Sequence, residues 1–142
     1  MAIHFHTIDT NHVLRHKNAL KRWITDCIHA ENLKPGDLNI ILCSDNHLLE
    51  INREFLDHDY YTDIITFNHN TQNLISGDIF ISIDRVFENA STFDDTPQNE
   101  TYRVIIHGVM HLCGYNDKTK KEASSMRKKE NDCLNRINKF LK

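Results

Sequence analysis

The run from Val104 to Leu112, VIIHGVMHL, restricts the fold of this chain more than any other segment. Upstream, Thr96-Pro97 is a helix start signal, because threonine supplies a capping oxygen and proline is tolerated at the first helical position. Downstream, Gly114 is a natural left-handed stop. The helix between them is apolar almost all round, so other elements must cover it on most sides. Residues 104–106 and Leu112 are therefore expected in the core.

The rest of the chain supplies the cover. Ile3 and Phe5 alternate with His4 and His6, the period of a half-buried strand. From about Asn11, apolar residues recur with helical spacing at Val13, Leu20, Trp23, Ile24, Cys27 and Ile28, and Pro35-Gly36 is expected to stop that helix. A strand LNIILC follows. Ser44 or Asp45 then caps a short helix presenting Leu48, Ile51 and Phe55 on one side. Two further strands, TDIITF at 62–67 and GDIFISI at 77–83, flank a polar loop that reads as a hairpin or a longer connection. Asp84 is expected to cap another helix. Thr119-Lys-Lys-Glu122 is a capping box for the last one, with Ala123, Met126, Cys133, Leu134, Ile137 and Leu141 inward. Strands mixed with helices at this length imply an α+β fold: a small, roughly four-stranded mixed sheet packed with about five helices. Residues 1–142 are expected to form a single domain, since a chain of about 150 residues buries roughly 68–70% of its unfolded surface.

No apolar run approaches the ~20 residues that span a bilayer, and MAIHFHTIDT lacks the features of a secretion signal. A cytoplasmic protein with no membrane partner is expected. Cys27, Cys43, Cys113 and Cys133 form no CxxC pair, so reduced thiols are expected. Charge is uneven: residues 118–142 carry nine Lys and Arg against three acids, whereas residues 1–117 carry eight against seventeen. A basic final helix can meet phosphates, although a solvated helix face explains the same charge.

Chemistry concentrates in HGVMHLCGYND, residues 107–117. His107 and His111, four residues apart on a helix, share one face and converge on one ion. Asp117 falls ten residues beyond His107, after the glycine turn. That is the offset of the third ligand in HExxHxxGxxH zinc sites. The expected site is one transition-metal ion, zinc or another divalent metal, held by His107, His111 and Asp117 at the end of the buried helix, with a position left for water. Gly108 occupies the place where a zinc peptidase carries its general-base glutamate, so a different hydrolysis is expected. Glycine there also lets substrate or another backbone approach closely. A pair at His4 and His6 is more simply two exposed histidines.

With these residues the chain resembles the YbeY-type single-strand-specific metallo-endoribonucleases of bacterial ribosome maturation, whose signature reads HGxLHLxGYDH. Agreement covers His107, Gly108, His111, Leu112, Gly114 and Tyr115. Upstream it extends to Asn52, Asp59, Thr62, Asp63, Phe67 and Gly77-Asp78-Ile79. The resemblance implies zinc-dependent cleavage of single-stranded RNA, processing of the 3′ end of small-subunit ribosomal RNA, ribosome quality control and a ribosomal partner, with no DNA substrate. Two positions depart from the pattern. Asp117 replaces the final histidine, and Leu56 replaces an arginine expected to stabilise phosphoryl charge. Arg53, one helical turn earlier, is the candidate catalytic cation in its place. The alternatives are a non-catalytic zinc-containing ribosome- or RNA-binding factor and, further off, a metallopeptidase. The first requires a fourth protein ligand; Cys113 is the nearest thiol, but lies about 200° around the helix from His111.

Overall fold

In the computed structural model, which describes residues 2–141, Thr96 Oγ1 accepts the Asn99 N–H and Pro97 opens helix α4, Pro97–Leu112. The other end closes on Gly114, whose φ is 109°. The Gly114 N–H donates to the His111 carbonyl and the Tyr115 N–H to that of Met110, the paired bonds of a Schellman stop. Val104, Ile105, Ile106, Val109, Met110 and Leu112 are all buried, as the apolar run requires.

Around α4 the chain runs β1 (Ile3–Ile8), α1 (Lys17–Ala30), β2 (Lys34–Cys43), α2 (Asp45–Leu56), β3 (Ile64–Asn68), β4 (Leu74–Ser82) and α3 (Ile83–Thr92). After α4 come α5 (Lys120–Arg136) and the single turn α6 (Asn138–Leu141). The sheet order is β1-β2-β4-β3, with the first three strands parallel and β3 antiparallel at the edge. A four-stranded mixed sheet with five full helices is the expected α+β architecture. The polar loop is a hairpin, since β3 pairs antiparallel with β4.

Strand alternation divides the core in two. Ile40, Leu42, Ile79 and Ile81 face α1 and α4, joining Trp23, Ile24, Ile105 and Ile106 in the main cluster. Ile65, Phe67 and Phe80 point to the other face, where α2 contributes Leu48 and Ile51. Each fully buried side chain of the main cluster, such as Ile40 or Ile79, contributes about 1.5–3 kcal/mol. Gly108 allows α4 to lie close to the hairpin: a Cβ there would come within 2.8 Å of both Ile64 and Ile79. Its small size serves packing against strand side chains, not the approach of a substrate or another backbone. Asn70, in the hairpin loop, donates to the Leu112 carbonyl at 2.7 Å and ties the loop to the end of α4.

Several local expectations fail for identifiable reasons. Helix α1 begins at Lys17, not near Asn11, and Val13 is 73% exposed. The helix ends at Ala30, followed by Asn32 at φ 61°, while Pro35-Gly36 lies inside β2, where the register shifts before Leu38. Proline is tolerated in a strand at such an irregularity. Ser44 caps α2, but Phe55 is exposed and packs edge-on against Phe67. Ser82 caps α3, and Asp84 instead accepts the Asp45 N–H at the start of α2. The Thr119–Glu122 capping box is present on α5, yet Ala123 is exposed. All four cysteines are free thiols.

Candidate metal centre

His107 and His111 lie one turn apart on the C-terminal half of α4, their ring centroids separated by 4.6 Å. The turn after Gly114 brings Asp117 back to them. Asp117 Oδ2 is 3.2 Å from His107 Nε2 and 3.5 Å from His111 Nε2. The two Nε2 atoms are 3.0 Å apart.

The outer nitrogens determine what these three atoms can be. His107 Nδ1 is 2.6 Å from Glu130 Oε2, and His111 Nδ1 is 2.9 Å from the Tyr115 carbonyl oxygen. A carbonyl and a carboxylate only accept, so both Nδ1 atoms carry the hydrogen and donate. In the neutral rings both Nε2 atoms then present lone pairs, facing each other and the Asp117 carboxylate. Three acceptors this close suit a shared cation, either a metal ion or a proton on one ring. Zinc–nitrogen bonds of about 2.0–2.1 Å at tetrahedral angles would set two donors about 3.3–3.4 Å apart. The observed separations of 3.0, 3.2 and 3.5 Å bracket that value. The donor set and spacing therefore fit a divalent transition metal.

Sequence reasoning missed the residues that hold these three side chains in place. Glu130 sits on α5, only 5% exposed, and its other oxygen accepts from Arg103 at 3.0 Å. Burial pushes its carboxyl up, but the hydrogen bonds from His107 and Arg103 outweigh that and hold it below the usual range. Burial disfavours a charged His107, yet Glu130 and then Asp117 raise its proton affinity above the ordinary histidine value. Tyr115, whose carbonyl orients His111, donates its hydroxyl to Glu31 just after α1, and Lys129 pairs with the same carboxylate at 3.0 Å. The turn presenting Asp117 is thus tied to α1 and α5. One signal for Glu130 was legible: it falls on the Met126–Cys133–Ile137 stripe of α5, where an acid has no reason to be without a partner.

The remaining candidates lie elsewhere. Arg53, on α2, is ion-paired with Asp59. Asp63, just before β3, accepts from Asn89 at 3.4 Å and lines a cavity of about 180 Å3 beside His107. His4 and His6 are exposed, and His6 bonds the Asn39 side chain. Among the described residues, His107, His111 and Asp117 form the one group of three or more ligand types close enough to share an ion, and Cys113 is not in it.

Comparison with known proteins accords with this geometry. A family model described as Endoribonuclease YbeY matches residues 4–138. A protein of Cytophaga hutchinsonii with that name is 48% identical over 139 residues, 97% of this chain and 96% of its own length. Its namesake from Parabacteroides distasonis is 46% identical over 134 residues, 94% of each. Among solved structures, the solution structure of TM1509 from Thermotoga maritima superposes with a TM-score of 0.70 at 26% identity, covering 96% of this chain and 89% of that one.

Proposed function

The chain belongs to the endoribonuclease YbeY family, and on that premise we propose that residues 1–142 form one zinc-dependent domain cutting single-stranded RNA. The enzyme is a metal-dependent RNA hydrolase of a family acting in 3′ maturation of ribosomal RNA. Our reading adds the ion, its ligands, the strandedness of the substrate, contact with the ribosome and a cytoplasmic setting. No helix among the described residues is long and apolar enough to cross a membrane.

The observation carrying this reading is the convergence of three lone-pair donors, two of them imidazoles whose outer nitrogens are already engaged. His107, His111 and Asp117 would hold the ion. Bound there, it would orient and acidify a water and offset negative charge gathering on the phosphoryl oxygens. Glu130 and the Tyr115 carbonyl keep both imidazoles in the tautomer that points Nε2 inward. With three ligands, and no fourth His, Cys, Asp or Glu joining them among the described residues, a position remains for the reacting groups. That favours catalysis over a closed structural site. To Arg53 we assign the cationic role at the phosphodiester that Leu56 cannot fill. The assignment rests on its place one helical turn before Leu56, with its guanidinium paired to Asp59.

Cleavage assays on matched single-stranded and duplex RNA, with metal stripped and then restored, test the reading. The single strand should be cut only with metal, and the duplex spared. Equal cutting of both would remove the strand preference, and cutting by the stripped enzyme would remove the metal. A 2′,3′-cyclic phosphate product end would identify the RNA's own 2′-hydroxyl as the attacking group.

A further inference from the structure

The cavity beside His107 contains a carboxylate that the metal centre does not use. Glu100 is 7% exposed, lines this cavity and has no hydrogen-bond partner. Arg103, one turn along α4, is committed to Glu130 and Asn131 at 3.0 Å each. The Glu100 oxygens keep contact with the cavity, so an occupant with two donors meets a carboxylate that no side chain hydrogen-bonds. At about 180 Å3 the cavity is well below the roughly 300–1,000 Å3 of sites for drug-sized ligands. It suits one small planar group, not a whole nucleotide.

We propose that this cavity is a nucleobase subsite that takes a guanine of the RNA next to the cleaved phosphodiester. The inference rests on the endoribonuclease reading and deepens it. Three observations select the ligand. His107 lines the cavity, so an occupant lies beside the reacting centre on the same RNA strand. Phe93, closing α3 at the cavity, is 67% exposed and offers a free aromatic face. Stacking a base on such a face contributes about 1–3 kcal/mol whatever the base. Glu100 then distinguishes the bases. The Watson–Crick edge of guanine presents two adjacent donors, N1–H and the N2 amine, matching the two oxygens of a carboxylate. Adenine, cytosine and uracil each present only one donor group on that edge. Arg127 also lines the cavity, 58% exposed and 3.5 Å from Glu130 Oε1, and its remaining donors would meet an adjoining phosphate.

The test is the binding of short single-stranded oligoribonucleotides to the metal-stripped full-length chain, followed by fluorescence anisotropy, with parallel cleavage by the zinc-loaded enzyme. A single guanine is compared with inosine, which lacks the N2 amine, and with adenine at the same position. The wild type should bind the guanine strand at least about tenfold more tightly, the lower range for a bidentate base contact. Glu100→Gln should abolish that preference. Phe93→Ala, a surface change that leaves the fold intact, should weaken all three strands alike and keep their order. Equal affinity for the three strands in the wild type, or an undiminished preference in a folded Glu100→Gln protein, would overturn the proposal. Cleavage without base preference would remove the subsite and leave the endoribonuclease reading standing. Guanine preference without cleavage would do the reverse.

Discussion

Glu130 holds one imidazole of the candidate metal centre without belonging to the group that would bind the ion. It accepts from His107 and from Arg103 in a nearly buried position on a different helix. Removing an outer partner of a metal-binding histidine commonly costs 10–100-fold in metal affinity. Glu130→Gln should therefore weaken zinc binding by about that factor in chelator competition, while circular dichroism stays native. An unchanged affinity would show that the 2.6 Å contact does not orient His107. The same pair fixes a pH dependence in the metal-free chain. The carboxyl of Glu130 is depressed on folding, so its contribution is present above the ordinary value of about 4.3 and fades as pH falls through the folded value. The imidazole of His107 is raised, so its contribution is complete below about 6.5 and fades as pH rises through the folded value. Thermal melts of the stripped protein should thus show the pair's contribution lost at both extremes. Glu130→Gln should flatten that profile.

At the scale of single elements, caps written next to their helices were legible, whereas the Pro35-Gly36 stop was not, because it lies inside β2. Thr96, Ser44 and Thr119 cap the helices they precede, and Thr119 with Glu122 completes both halves of its box. Thr119→Ala should cost about 1 kcal/mol, read as a lower melting temperature. Signals that depend on distant partners were not legible. Asp84 looked like the cap of its own helix but serves α2, because Ser82 is nearer and folding brings Asp45 alongside. Val13 fits the helical period yet lies outside α1, since His16 at φ 61° interrupts the backbone before the helix begins. Gly108 shows the same limit at the site itself. Sequence offered only the missing glutamate, whereas its neighbours are Ile64 and Ile79 on the sheet. Gly108→Ala gains about 1 kcal/mol of helix propensity, and overpacking against the stiff Ile79 costs about 1–3 kcal/mol. A net loss of stability is expected in denaturant unfolding.

Across the whole molecule, α5 joins the core, the site and the charged surface. Its inner face buries Met126 and Cys133, and the Cys133 carbonyl accepts the Trp23 indole N–H at 2.7 Å. Glu130 reaches the metal centre from the same stripe, while Lys120, Lys121, Arg127 and Lys128 remain exposed. The uneven charge read from the sequence is therefore displayed on a helix that also supports the site. Neutralising Lys120, Lys121 and Lys128 to Gln should weaken RNA binding and lower the slope of log affinity against log salt by up to about 0.7 per charge. An unchanged slope would assign those lysines to solvation alone. The grouping of His107, His111 and Asp117 was legible because its offsets lie within eleven consecutive residues. Its supports were not, because Glu31 and Glu130 enter from opposite ends of the chain. The most direct measurement is the zinc content of the full-length protein after dialysis, wild type beside His111→Ala. The account predicts one zinc per wild-type chain and loss of both metal and RNA cleavage in the variant. Full metal retention by a folded His111→Ala protein would contradict it.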